Sequence, residues 1–376
     1  MTAAIDAPAL LAPGTVAAPV LIIACAMTLL FAPHVALRKR SGWPGEIALA
    51  LLMIASLATS NGALSFGATA ATALVIAFEA RRRSMGAALT FGLSGVSLIL
   101  GAVAMASGHG GLAFAASMLS FGLRVGVFPL HGGVGSLTHR SLTLQLQQLA
   151  TLPTSVFVHL RFVDHEPIAW ATAPWLVAIG TASALCFGLV ALAQTSLRGL
   201  LRASVLMHGG MLFAAVGAAG RGNHAAALLV SITLGLAISG LGIMLASLQA
   251  RVGPLDDLAP GGRARAFPRL AAGVALFGGA AVGMPGTSGF IADDLLLHAL
   301  WGVNAPSAII MIIASALLAV ATLRTFSLSF LGTPVRLLAP DLDGAERIVL
   351  ALLVTWLVLL GLWPGVLVDS ATALLR

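Results

Sequence analysis

Hydrophobic residues run through this chain in blocks of about twenty, separated by short polar, glycine-rich or proline-rich stretches. That length suits a helix crossing the hydrocarbon core of a bilayer, and the period-two alternation of half-buried strands is missing. The pattern predicts about twelve spans, near residues 16–37, 44–60, 62–80, 86–107, 110–131, 141–160, 168–193, 199–217, 223–248, 267–300, 305–331 and 346–372. The expected fold is an all-α polytopic membrane protein, a single membrane domain over residues 1–376.

Two of the blocks are interrupted. Between residues 267 and 298 the apolar run is broken by Met284-Pro285-Gly286-Thr287-Ser288-Gly289 and resumes with two adjacent carboxylates, Asp293 and Asp294. Proline removes a backbone donor and breaks a helix. At membrane depth such a break persists only where protein or a watery cavity satisfies the freed groups. A broken helix carrying acids is therefore a candidate ion site. The fifth span is interrupted at Pro129, five spans earlier. Two discontinuous helices at that separation fit two five-helix repeats, about 44–160 and 168–331, and an odd repeat length makes them inverted.

Composition agrees with the pattern. The chain is 59% hydrophobic and 9% charged, with mean hydropathy +1.02, whereas soluble domains run near about 25% charged. In a soluble chain a net charge of +7 would suggest nucleic acid; here it sets orientation. Of the 20 basic residues, 15 lie in or beside loops that follow odd-numbered spans: Arg38, Lys39, Arg40, Arg81, Arg82, Arg83, Arg140, Arg198, Arg202, Arg251, Arg263, Arg265, Arg269, Arg336 and Arg347. The opposite side holds Arg161, Arg221 and Arg376. By the positive-inside rule the first set is cytoplasmic and both termini face the other side, which in a bacterium is periplasmic.

The first 14 residues lack a basic n-region, so no cleavable signal peptide is expected. Cys25 and Cys186 sit in apolar runs and read as structural thiols rather than a disulfide or metal site. The loops 249–269 and 332–347, the latter with Asp341, Asp343 and Glu346, are too short for a catalytic module. No phosphate-binding loop, dinucleotide fingerprint, CxxC or HExxH occurs. The chain is thus expected to have no catalytic site, cofactor or metal of its own.

Candidate chemistry lies inside the spans, where ionisable groups are costly and face the bundle interior. Arg124 lies five residues before Pro129; its high pKa makes it an organiser of water or carboxylate, not a proton carrier. His131 and His139 are relay candidates or interfacial histidines. Gln145, Gln147 and Gln148 crowd the sixth span, kinked by Pro153, and the spacing puts Gln145 and Gln148 on one face. His208 lies mid-span beside Gly209 and Gly210, either a relay group or a satisfied core histidine. Asp293 and Asp294 are the strongest candidates, because a carboxylate in the membrane tends to protonate; the alternative is an interfacial position. Glu79, two residues before Arg81-Arg82-Arg83, is either buried or paired with those arginines.

Several stretches together resemble the antiporter-like, proton-conducting membrane subunits of respiratory complex I and of Mrp-type cation/proton antiporters. Ala193-Gln194-Thr195-Ser196-Leu197-Arg198-Gly199-Leu200-Leu201, continuing to Ala203-Ser204 and His208-Gly209-Gly210, is similar to that family's AQTDLKRLLAYSS…HMG segment. Gly283 through Phe290 is similar to its GLPGTSGF break. Phe121-Gly122-Leu123-Arg124 through Phe128-Pro129-Leu130-His131 resembles its FxxKxxxxPFH stretch, and Leu255-Asp256-Asp257-Leu258 its short acidic loop. The resemblance covers about residues 80–331. It implies fourteen core helices, of which this chain would lack the first two, and a central relay of lysines, histidines and carboxylates.

Carried over by position, the broken-helix lysine becomes Arg124, and the next helix's basic position falls among Gln148 and Thr151. The ninth span offers only Ser231, Thr233 and Ser239. Glu79, His208 and Asp293 match retained positions, and Pro129, Pro285 and Gly286 the helix breaks. The resemblance thus implies a proton-translocating subunit of a larger ion-translocating or redox-driven assembly in the bacterial inner membrane, such as an NADH-quinone oxidoreductase-like complex. Its partners would be other membrane or peripheral subunits and lipid, with no nucleic acid. Two alternatives remain open: a non-conducting scaffold that anchors a peripheral partner, or a proton-coupled partner of an inorganic-carbon uptake protein.

Overall fold

A computed structural model describes residues 13–36, 43–219, 224–255, 261–334 and 339–369. Fourteen α-helices fill them: α1 Pro13–Ala36, α2 Trp43–Ala58, α3 Gly62–Ala80, α4 Met85–Ala106, α5 Gly110–Val125, α6 Gly132–Arg140 and α7 Leu142–Phe162. After these come α8 Pro167–Leu192, α9 Leu197–Ala219, α10 His224–Val252, α11 Pro268–Ala281, α12 Ser288–Val303, α13 Ala305–Phe330 and α14 Gly344–Leu362. A 3-10 turn, Arg263–Arg265, precedes α11. Among the described residues there is no strand, only an isolated bridge between Gly262 and Pro334. Arg38, Lys39, Arg40, Arg221, Asp256, Asp257, Leu258, Arg336 and Arg376 lie outside the described residues.

Eight helices (α1, α3, α4, α8, α9, α10, α13 and α14) contain stretches long and apolar enough to cross a membrane. The protein is an all-helical, multi-pass membrane protein. The other helices depart from that standard for three reasons, the first being that α2 is apolar but only 16 residues long. α5/α6 and α11/α12 are pieces of interrupted spans. α7 has the length, but three glutamines, His159 and Arg161 make it polar.

Helix starts follow side-chain capping of orphan backbone donors. Asn61 accepts from Leu64 N, Ser84 from Ala87 N and Ser141 from Leu144 N. Asp343 and Glu346 form a reciprocal capping box on α14.

α10 lies at the centre, buried between α1, α7, α9, α11, α12 and α14. Large apolar side chains such as Leu93, Leu100, Trp175 and Leu323 stand exposed on the outside, as a lipid-facing surface requires. Lipid tails remove any hydrophobic drive between helices, so close approach of small residues does the packing. Gly180 on α8 faces the backbone of α9, where an added Cβ would stand 2.5 Å from Ala214 N, and Gly210 faces α8 in the same way. The backbone of Gly209 meets the Val125 carbonyl at the end of α5, leaving no room for a side chain.

The two longer loops are latched together. Arg251 contacts Glu346 at 2.6 and 2.9 Å and donates to the carbonyls of Pro340 and Asp341. The Asp341 carboxylate accepts from the first amides of α11, Arg269 N at 2.8 Å and Leu270 N at 3.3 Å, a charge suited to a helix N-terminus. Arg263 donates to Ser329 O at 3.0 Å, and its burial lowers the guanidinium from its ordinary value. The acids of loop 332–347 are thus caps and clamps.

Candidate functional site: two helix breaks joined by buried polar groups

α5 ends at Gly126, whose φ of +74° supplies the left-handed C-cap that glycine favours. A cis Phe128–Pro129 bond follows before α6 begins. The last turn of α5 carries Arg124, 1% exposed. Its Nη1 donates to Ser155 Oγ at 2.6 Å, and Nη2 donates to Thr151 Oγ1 at 2.5 Å and Thr72 Oγ1 at 3.4 Å; Nε has no partner. No carboxylate lies within 4.0 Å among the described residues. Hydroxyl dipoles alone solvate this buried cation. Beside it a cavity of about 10 Å³, room for one water, is lined by Thr69, Ser117, Ser120 and Ser155.

α7 presents the other side of this centre. Gln148, Thr151, Ser155 and His159 follow one another at three- and four-residue steps, which puts them on one helix face. Gln148 donates to the Arg124 carbonyl at 2.5 Å. His159 Nδ1 lies 2.9 Å from Ser117 Oγ, and its Nε2 4.0 Å from Asp164 Oδ1. The other Asp164 oxygen is 2.9 Å from His224 Nε2. A polar seam of roughly 16 Å, at about 1.5 Å per residue, therefore runs along α7. Gln145 adds a buried amide with neither atom partnered, at the edge of a 200 Å³ cavity that Arg140, Ser141 and Arg198 also line.

The second break lies between Ala281 and Ser288. Gly283 and Gly286 take φ of +77° and +87°, which L side chains rarely adopt. Thr287 donates to Met284 O at 2.7 Å, and Thr233 of α10 donates to Ser288 Oγ at 3.0 Å. His208 of α9 faces two carbonyls, with Nδ1 2.7 Å from Ser204 O and Nε2 2.6 Å from Ala281 O. Carbonyls only accept, so both contacts are hydrogen bonds only when the ring carries two protons. Asp293 packs against Gly283, where an added Cβ would stand 2.7 Å from its carboxylate. Thus His208 and Asp293 both meet the start of one break, at Ala281 and Gly283.

Other expected site residues fall elsewhere. Asp294 points away from this interior: its side chain is 58% exposed, with His298 Nδ1 3.6 Å away. Adjacent helical residues diverge by about 100°, so only one of the two acids can face the break. His131 stacks between Phe128 and Phe187 at centroid distances of 5.7 and 5.2 Å, with no hydrogen bond to Arg124. The side chain of His139 lies outside those described.

Glu79 is not paired with Arg81, Arg82 or Arg83; it accepts from Gln147 at 2.9 Å. Gln147 also donates to Glu46 at 3.2 Å, and Glu46 lies 3.0 Å from His34. Sequence reasoning passed over His34, Glu46, His159, Asp164 and His224. The available signal was an ionisable residue within or at the edge of an apolar block.

A polytopic helical bundle with two interrupted helices, and buried polar groups around the interruptions, has the architecture of ion-translocating membrane subunits. The family described as NADH:quinone oxidoreductase/Mrp antiporter, transmembrane, matches residues 85–319. The chain belongs to that family. NADH-quinone oxidoreductase subunit M of Escherichia coli (strain K12) is 26% identical over 283 residues, covering 71% of this chain and 54% of that protein. The chain therefore spans about half the length of such a relative. A chain of respiratory complex I from Thermus thermophilus superposes with a TM-score of 0.85 at 22% identity, covering 96% of this chain and 84% of that one. A chain of the Mrp complex from Dietzia sp. DQ12-45-1b gives 0.78 at 14% identity, covering 95% and 44%. The family match takes in both breaks, the α7 seam, His208 and Asp293, but not His34, Glu46 or Glu79.

Proposed function

We propose that this protein is an antiporter-like, proton-translocating membrane subunit of a larger hetero-oligomeric complex, redox-driven or otherwise, in the bacterial inner membrane. It would have twelve spans, two inverted five-helix repeats and both termini on the periplasmic side. The observation that carries this reading is that polar groups gather at both breaks and that the two breaks touch through a backbone contact. Gln148 holds the Arg124 carbonyl. The next residue, Val125, touches Gly209, the neighbour of His208. His208 reaches the Ala281 carbonyl, and Asp293 packs against Gly283. Asp293 has no hydrogen-bond partner among the described residues, which leaves its carboxyl available to exchange a proton with water.

The test is proton flux in vesicles reconstituted with the purified complex. Asp293→Asn should reduce flux to background while leaving assembly intact. Undiminished flux in that variant would overturn the reading.

A second reading, a non-conducting scaffold that anchors a peripheral partner, is favoured by the hydroxyl-only shell of Arg124. It is also favoured by α10, which has no ionisable residue between His224 and Arg251. Absence of flux from the wild-type complex would select it.

A further inference from the structure

Where α1 ends and α2 begins, the bundle holds a second group of titratable side chains, outside both breaks. Glu46, in the first turn of α2, is 1% exposed, Gln147 1% and His34 6%. Gln147 Nε2 donates to Glu46 Oε1 at 3.2 Å and Glu79 Oε2 at 2.9 Å, so one amide joins two carboxylates. His34 Nε2 stands 3.0 Å from Glu46 Oε1. Glu79 reaches this position across the bare backbone of Gly45, where any Cβ would collide with its carboxylate. The second oxygen of Glu46 and the amide oxygen of Gln147 are buried with no hydrogen-bond partner.

The fixed charges on the surrounding helices make their direct contacts elsewhere, although Arg83 lies near enough for its charge to act on Glu79. On α3, Arg83 donates to Ser141 Oγ at 2.7 Å, Arg81 lies over the Phe78 ring and Arg82 is exposed. On α10 and α14, which also pack on α1, Arg251 pairs with Glu346. On α7, Arg161 lies at the far end and donates to the carbonyls of Leu57 and Thr59. No guanidinium comes within 4.0 Å of Glu46 or Glu79 among the described residues.

We propose that Glu46, Glu79, His34 and Gln147 form a proton-binding site that holds one exchangeable proton at the arginine-rich end of the bundle. Two carboxylates this close repel one another, and in a buried setting one positive charge between them relieves the repulsion. A proton fits better than an alkali cation, because the amide turns its N–H groups, not its oxygen, toward the carboxylates. The proton rests on the carboxyl of Glu46 in its pair with His34, whose Nε2 stands 3.0 Å from Oε1. Gln147 links that pair to Glu79 and stabilises whichever carboxylate is ionised. The site exists whether or not the subunit conducts; in a conducting subunit it is an uptake point on the arginine-rich side.

Infrared pH-difference spectra of the purified protein in lipid test this, in an Asp293→Asn background that removes the other candidate carboxyl. One protonated-carboxyl C=O band should disappear as pH rises. Glu46→Gln and Glu79→Gln should each abolish it, because the remaining carboxylate then ionises alone beside the donors. Gln147→Leu removes a donor to the ionised form and should move the midpoint to higher pH. A band indifferent to both glutamate substitutions would overturn the proposal, as would one that sodium abolishes at constant pH. If Glu46→Gln does not fold, Glu79→Gln, at the less buried carboxylate, carries the same test. Loss of vesicle flux with the band intact would count against translocation alone.

Discussion

The two helix breaks carry similar sequence punctuation and opposite electrostatics. At the first, a permanent cation is sealed in: Arg124 is held by Ser155, Thr151 and Thr72 and faces no carboxylate. At the second, both ionisable groups can change charge. His208 sits between two carbonyl acceptors, one of them at the break itself, and Asp293 stands beside Gly283 without a partner. A guanidinium does not give up its proton at ordinary pH, so Arg124 brings a fixed charge to the first break and is a poor proton carrier. Exchangeable groups stand at the second break and, away from Arg124, in the Glu46–Glu79 pair bridged by Gln147. Similar punctuation thus supports two different jobs, one fixed and one exchangeable.

The sharpest way to break this comparison is to separate the two centres. Gly209 meets the Val125 carbonyl, so Gly209→Leu should abolish monodisperse protein. Gly209→Ala should destabilise by about 1–3 kcal/mol through overpacking. Gly92 of α4, with nothing within 4 Å of an added Cβ, is the control: Gly92→Ala should be neutral or stabilising by about 0.5–1 kcal/mol. Thermal unfolding in lipid reads all three, and equal effects at the two glycines would remove the contact as a joint.

Next comes the hydroxyl shell. Thr151→Val with Ser155→Ala leaves the Arg124 cation buried with fewer partners and should cost on the order of 3 kcal/mol or more. Adding Arg124→Met to that pair should recover much of the loss, since no charge then needs solvation. A triple variant weaker than the double would mean that the guanidinium stabilises this region outright.

At the second break, His208→Gln retains one hydrogen-bonding group but cannot carry the charge. Proton flux should fall several-fold, with the Ala281 contact preserved in structure. Unaltered flux would make His208 a packing residue.

The smallest effect is expected at Asp294. With its side chain 58% exposed, Asp294→Asn should shift stability by no more than about 0.5 kcal/mol and leave most of the flux, in contrast to Asp293→Asn. Equal loss from both would place the two acids on one path.

Much of this was legible in the chain. Apolar block length located several helices to within a few residues, as in 62–80 against Gly62–Ala80 and 305–331 against Ala305–Phe330, though 346–372 overshoots Gly344–Leu362. Proline and glycine marked both breaks, because backbone rules act locally. The pairing of side chains was not legible. Gln147 lies off the face that Gln145 and Gln148 share, yet it bridges two carboxylates from α2 and α3. Glu79 beside three arginines reads as an ion pair, but helix rotation turns it inward.

The sequence alone determined a bilayer-spanning helical bundle, since burying about twenty apolar residues at a time leaves no other fold for the backbone. It also determined where that backbone must break. The tertiary structure decided which ionisable groups share a space. That depends on helix rotation and on contacts between residues as distant as Glu46 and Gln147, which no local period encodes. It turned Asp293 in and Asp294 out, and it gave Arg124 hydroxyls in place of a carboxylate.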